Sequence, residues 1–191
     1  MVAQVAACIE EIDSRMTTNR LKLNSDTTQF IWLGSRQQLL KVDVVNVQLG
    51  DYSIPLQSNV CSLEVHFDSQ LTMRTHVQRI CRSTFDQLRQ LQSIHPLFSE
   101  TSCSALVHAF ITSRLDYCSS LLAGIGDSLI AQLQSEMRVA ARFVLRRSKF
   151  DPISADIHDR LHWLPMRSRI DFKLGLLVYK CLHGNAPSVS R

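Results

Sequence analysis

Apolar residues recur along the chain with two different periods, and the change from one to the other falls near residue 70. In residues 3–17 they return every three to four positions, which is typical of an amphipathic helix. Up to residue 67, short apolar runs lie between turn residues and several alternate with polar positions, as half-exposed strands do. The predicted strands are 21–24, 29–33, 42–49, 52–54 and 63–67. Pro55 follows one of them and predicts an edge strand, because proline has no N–H for a ladder.

From residue 71 onward the apolar period is helical. The predicted core positions are Val77, Ile80, Cys81, Phe85, Leu88, Leu91 and Ile94, then Cys103, Leu106, Val107, Phe110 and Ile111, then Ile130, Leu133, Met137, Ala140 and Val144, and finally Ile170, Leu174, Leu177, Val178 and Cys181. The predicted helix boundaries are Pro96, Ser99, Asp127, Asp151–Pro152, Pro165 and Gly184. We therefore predict an α+β fold: a small mixed α/β region at residues 1–70, followed by an all-helical bundle at residues 71–191.

Composition is that of a globular protein, with 45% hydrophobic and 20% charged residues. No apolar run is long enough to span a bilayer and the first residues lack the basic start of a signal peptide, so we expect no membrane partner. The six cysteines form no C-x-x-C pair. We expect them to be buried free thiols of an intracellular protein in a reducing compartment, with nucleus and cytoplasm both open.

Basic residues are concentrated at the C-terminal end, where residues 137–191 hold eleven Lys and Arg against four Asp and Glu. Arg138, Arg142 and Arg146 recur every four positions, which predicts one basic stripe on a helix. Two neighbours extend the pattern, Arg147 and Lys149, and a second stripe is predicted at Arg169, Lys173 and Lys180. Such stripes are suited to phosphate contacts with nucleic acid. The alternative is a solvated face, or pairing with Asp151, Asp156 and Asp171.

One histidine pair has the spacing of a helical metal site. His158 and His162 lie four residues apart in H-D-R-L-H, which differs from the zinc-protease H-E-x-x-H pattern by having Asp for Glu. The sequence offers no third ligand, so we expect no metal here, with one histidine exposed and one packed.

Several segments, in order and at natural spacing, resemble the C-terminal part of a non-LTR (LINE-type) retrotransposon reverse transcriptase. They are NRLKLNSDTTQFIWLG (19–34), SLEVHFDSQLTMRTHVQRIC (62–81), SRLDYCSSLL (113–122), LQ (133–134), AAR (140–142), and LHWLP, RIDFK and YKCLHGNAP within 161–187. Any one of these segments alone is a weak signal. The resemblance implies a palm remnant at residues 1–70, with motif D and E segments, and a thumb-like helical region at residues 71–191.

The resemblance also implies roles for particular residues. Trp32, Leu33 and Gly34 correspond to the primer grip, and the thumb helices would follow the backbone of the primer–template. The chain departs from the family at Thr27, where motif D has a lysine, at Glu64, where L-G-V has its glycine, and at Arg138, where an asparagine is usual.

The parent family uses Mg²⁺ held by paired aspartates, and this chain has no Asp-Asp pair. We therefore predict no catalytic residue, metal ligand or cofactor in this chain. Its predicted function is that of a reverse-transcriptase fragment, which at most binds primer–template or RNA. The alternative is a non-enzymatic helical protein-interaction module, whose partner would be the missing polymerase portion or a second copy.

Overall fold

The computed structural model describes residues 2–22, 24, 27–49 and 52–185. It has the α+β fold that the sequence predicts, with eight α-helices and five short strands among the described residues. The chain divides into two units, Met1–Thr75 and His76–Arg191. Within the described part, no helix has both the length and the apolar character that a bilayer crossing requires.

The first unit contains the strands and two helices. Its elements are α1 (Val2–Thr18), β1 (Phe30–Ile31), α2 (Arg36–Leu39), β2 (Asn46–Leu49), β3 (Tyr52–Gln57), β4 (Asn59–Ser62) and β5 (Val65–Asp68). Helix α1 and strand β3 are confirmed and extend beyond the predicted 3–17 and 52–54. The strands predicted at 29–33 and 42–49 are confirmed in shorter form, as β1 and β2. The strand predicted at 21–24 is wrong at residues 21, 22 and 24, and residue 23 lies outside the described residues.

Strand β3 is the centre of a three-stranded sheet, with β1 parallel on one side and β2 antiparallel on the other. The prediction that Pro55 marks an edge strand is therefore wrong. The Leu56 N–H donates to the Val45 carbonyl, so the nitrogen of Pro55 faces the opposite side, towards β1. Pairing with β1 begins only at Leu56. Proline is tolerated because no strand residue pairs with it on that side.

Strands β4 and β5 form a separate hairpin through a two-residue turn at Leu63 and Glu64. Both residues have positive φ, 48° and 65°, as a type I′ turn requires. The predicted strand 63–67 therefore begins only at Val65, which is buried in this unit with Val47, Ile54 and Met73.

The second unit is helical. After α3 (Arg74–Ile94) come a 3₁₀ turn (His95–Leu97), α4 (Glu100–Val107), a π-helical turn (His108–Thr112), α5 (Ser113–Asp116), a second 3₁₀ turn (Ser119–Leu122), α6 (Asp127–Val144), α7 (Ser154–Asp159) and α8 (Met166–Leu182). Its core is confirmed at most predicted positions of α3, α4 and α6. Phe85, Ile94 and Phe110 are exposed instead, because they lie at the margins of the apolar stripes.

The predicted core stripe of the last helix is wrong beyond its first turns. Ile170 is buried, but every residue from Asp171 to Asn185 is exposed. The stripe at Leu174, Leu177, Val178 and Cys181 continues past the last element that α8 packs against. An apolar period identifies the apolar side of a helix, but it does not show where its neighbours end.

Three helix boundaries follow the predicted signals. Helix α3 stops before Pro96, and the Ser99 hydroxyl caps α4 by accepting from the Ser102 N–H at 3.1 Å. At Gly184, φ is 68° and the Asn185 N–H donates to the Lys180 carbonyl, which is a Schellman ending.

The other three predicted helix starts are shifted by one or two residues. Gly126, and not Asp127, is the cap of α6, and Asp127 lies in the first turn, where a carboxylate is favourable. Helix α7 begins after Ile153, because the Asp151 carboxylate accepts from the Ser148 N–H and belongs to the preceding turn. Pro165 is the cap of α8 and not its first helical residue, since its ψ of 152° is extended.

Candidate nucleic-acid interface

The predicted primer-grip residues Trp32, Leu33 and Gly34 directly follow β1. The Gly34 N–H donates to the Ser69 carbonyl at 3.0 Å, which joins this segment to the loop after β5. Trp32 is half-buried, whereas Leu33 is exposed. Ser35 then begins α2 with a capping box: its hydroxyl accepts from the Gln38 N–H, and its own N–H donates to the Gln38 side chain.

A surface cavity of about 470 Å³ adjoins this segment. It is lined by Leu33, Gly34, Ser35, Arg36, Ser69, Gln70, Leu71 and Thr72. Two of the three predicted primer-grip residues thus lie at a concave surface that holds one cationic side chain, Arg36.

The Asp68 carboxylate organises the loop that forms one wall of the cavity. It accepts hydrogen bonds from the Gln70 N–H at 3.1 Å and from the Thr72 N–H and hydroxyl at 2.9 Å each. Partial burial raises the pKa of Asp68, but the hydrogen bonds, those from Thr72 first, outweigh it and hold the pKa below its usual value. Asp68 is therefore an anion that fixes the loop.

The basic stripe predicted at the end of α6 does not form as one helical face. Helix α6 ends at Val144, and Arg146 has φ of 52°, so it lies outside the helix. Arg138 is exposed and has no partner among the described residues. Arg142 is half-buried and donates to the Asp151 carbonyl at 3.2 Å. The prediction that these arginines share an outer face is wrong.

Two further arginines in this region make contacts within the chain. Arg146 donates to the Phe98 carbonyl at 2.5 Å, and Arg147 forms an ion pair with Asp156 at 3.3 Å. Of the three acidic residues that the pairing alternative named, Asp156 forms an ion pair with Arg147, whereas Asp151 accepts from Arg142 only through its backbone carbonyl. Asp171 forms no ion pair with another described residue. These contacts compete with phosphate binding at Arg142, Arg146 and Arg147.

The second predicted stripe, on α8, is divided in the same way. Arg169 donates to the Asp116 carboxylate, and its side chain is only 16% exposed. Lys173 and Lys180 are exposed and have no partner among the described residues.

One set of exposed cations was missed by sequence reasoning. Arg79, Arg82 and Arg89 lie on the solvent side of α3, within an arc of about 80° at 100° per residue. None has a hydrogen bond or ion pair to another described residue, and Asp86 lies between them on the same side. The signal was present in the sequence, because these positions lie opposite the apolar stripe of α3.

The histidine pair does not have the helical geometry of a metal site. Helix α7 ends at Asp159, and His162 has φ of 54°, so the two histidines are not on one helical face. His158 and His162 are both exposed, so the expectation that one is packed is wrong. The described residues contain no group of three or more potential ligands for a metal ion.

The cysteines are free thiols, but their predicted burial is confirmed only at Cys103. Cys81 and Cys118 are half-buried, while the other three are exposed: Cys8, Cys61 and Cys181.

Comparison of the chain with family models, curated proteins and solved structures gives no match.

Proposed function

We propose that the chain binds the sugar–phosphate backbone of a primer–template or RNA duplex, as the thumb region of a non-LTR reverse transcriptase does. The observation that carries this proposal is a set of exposed cations without a partner among the described residues. They are Arg79, Arg82 and Arg89 on α3, Arg138 on α6, and Lys173 and Lys180 on α8. Such a side chain gives up no contact within the chain when it binds a phosphate.

The charge distribution supports the same proposal. Residues 76–191 hold 15 Lys and Arg against 9 Asp and Glu, which gives a net charge of +6. Residues 1–75 hold 6 Lys and Arg against 8 Asp and Glu, which gives a net charge of −2. A positive excess of this kind attracts polyanions and speeds their association. The proposed activity is binding, and no polymerase step is assigned to these residues.

The turn at Glu64 supports the resemblance on which the proposal draws. Its φ of 65° is in the region that favours glycine, and L-G-V of the family has glycine at this position. The backbone conformation here is the one that the family's glycine suits, although the side chain differs.

The test is binding of the full chain to a labelled RNA–DNA duplex across a salt series. We expect affinity to fall steeply with salt, because each neutralised phosphate releases condensed counterions. Changing Arg79, Arg82 and Arg89 together to alanine is expected to reduce the slope of log K against log salt by about 2 to 3, at about 0.9 per lost contact.

A matched control removes the same charge from the first unit. Arg20, Lys22 and Lys41 are exposed, and changing them to alanine also lowers the net charge by three. The proposal requires the α3 variant to lose more affinity than this control. Equal losses would mean that only overall charge matters, and no binding by folded wild-type chain would overturn the proposal.

A second candidate function is a helical protein-interaction module. The exposed apolar residues of α8 favour it, since a helix that is apolar on most sides is ordinarily covered. This candidate predicts an association that is insensitive to salt, in contrast to the first.

A further inference from the structure

From Phe172 to its end at Leu182, α8 carries an apolar seam on its exposed surface. Phe172, Gly175, Tyr179 and Leu182 are separated by three, four and three residues, which is the spacing of positions a and d in a coiled coil. The three side chains are 64%, 55% and 78% exposed. At Gly175 an added Cβ would meet no atom within 4 Å.

We propose that this seam pairs with the same seam of a second copy of the chain, with the two helices antiparallel. This inference rests on the second candidate function and names its partner. In an antiparallel pair each a position meets a d position. Phe172 then packs against the second copy's Leu182, and Tyr179 fills the space left by its Gly175.

The complementary sizes favour the antiparallel over the parallel arrangement. In a parallel pair with matched register, the two Gly175 residues would face each other and leave a gap, while the two Tyr179 side chains would crowd. Antiparallel pairing places a large residue against the smallest one, as close packing requires. Leu176 and Val178 flank the seam and extend its apolar surface.

The available area matches a small specific interface. Together, the five side chains expose on the order of 500 Å² per copy, so a pair would bury at most about 1,000 Å², near the lower limit for a specific interface. They are Phe172, Leu176, Val178, Tyr179 and Leu182. We therefore expect a weak, reversible dimer.

The first experiment is sedimentation velocity of the full chain over a concentration series at low and high salt. We expect a monomer–dimer equilibrium that high salt does not dissociate. Leu182→Glu is expected to weaken the dimer at least tenfold, because it places a carboxylate in the seam. The matched control is Leu97→Glu, at a leucine that is 82% exposed outside α8, and it is expected to leave the equilibrium unchanged.

A second experiment tests the orientation by cross-linking, in a background that carries Cys181→Ser. Chains with Phe172→Cys and chains with Leu182→Cys are oxidised separately and as a mixture, and the background chain is the control. Antiparallel pairing gives the cross-link chiefly in the mixture. Cross-linking of each chain with itself, to the level of the mixture, would overturn the antiparallel arrangement.

A monomeric chain at all concentrations would overturn the dimer. If the monomer binds a hydrophobic dye and Leu182→Glu abolishes that binding, the interaction-module function is retained, with a partner other than a second copy. A monomer without such dye binding would overturn both the dimer and the second candidate function, while the nucleic-acid test remains a separate result.

Discussion

The guanidinium of Arg169 donates through Nη1 to both carboxylate oxygens of Asp116, at 2.7 and 2.6 Å. Its Nε also donates to the Leu164 carbonyl at 3.2 Å. The ion pair joins the start of α8 to the end of α5, and the arginine side chain is largely buried. Arg169 therefore stabilises the helical unit, which competes with its predicted role in phosphate binding.

We expect Arg169→Ala to lower the free energy of unfolding of the helical unit by about 2 kcal/mol, between the values for exposed and buried ion pairs. Asp116→Asn should have a similar effect, and the double variant should cost less than the two single changes together. Urea denaturation followed by circular dichroism measures all three. If the double variant loses as much free energy of unfolding as the two single variants together, the interaction between Arg169 and Asp116 contributes no stability.

The arginines at the end of α6 are expected to contribute unequally to the free energy of unfolding, although they recur at equal spacing in the sequence. Arg138→Ala should change the free energy of unfolding by less than about 0.5 kcal/mol, because the side chain is exposed and has no partner among the described residues. Arg142→Ala should cost about 1 to 2 kcal/mol, because it removes a partly buried hydrogen bond to the Asp151 carbonyl. Equal effects in thermal or urea denaturation would contradict this distinction.

The apolar period predicts the helices of the second unit and most of their buried positions, because burial on one side of a helix imposes that period. It does not predict the pairing of Arg169 with Asp116, which are 53 residues apart, since such a contact depends on tertiary packing. The same limit explains the error at Arg142. Residues spaced by four lie on one side of a helix only as far as the helix continues, and α6 ends at Val144. The loop that contains Asp151 covers part of that side of the helix at Arg142.

The hairpin turn offers a gain in stability. Leu63 and Glu64 both have positive φ, which is unfavourable for residues with a Cβ. Glu64→Gly is expected to stabilise the first unit by up to about 1 kcal/mol, and adding Leu63→Asn should increase the gain, since Asn-Gly is the preferred type I′ pair. Glu64→Ala is the control and should give no comparable gain in thermal denaturation. A loss of stability in Glu64→Gly would contradict the turn assignment.

Glu136 provides a test that depends on pH. Burial raises the pKa of Glu136 above its ordinary value. Because the folded-state pKa exceeds the unfolded one, the ionised carboxylate lowers stability at neutral pH, and this cost disappears below the unfolded pKa. Glu136→Gln is therefore expected to be more stable than wild type at pH 7, with a difference that vanishes as the pH falls below about 4. Urea denaturation at a series of pH values measures it, and a difference that is constant with pH would contradict the assignment.

The reactivity of the Cys81 thiol provides a second test of the charge on Glu136. Burial first, and then the charge of Glu136, raise the pKa of Cys81 to about 11. Since the thiolate is the reactive form and Cys81 is half-buried, Cys81 should be alkylated by iodoacetamide more slowly than exposed Cys181 at pH 8, by at least about tenfold. Glu136→Gln should speed the reaction at Cys81 and leave that at Cys181 unchanged, as measured by peptide mass spectrometry. If both cysteines respond alike, the variant has loosened the fold, and the proposed charge interaction is contradicted.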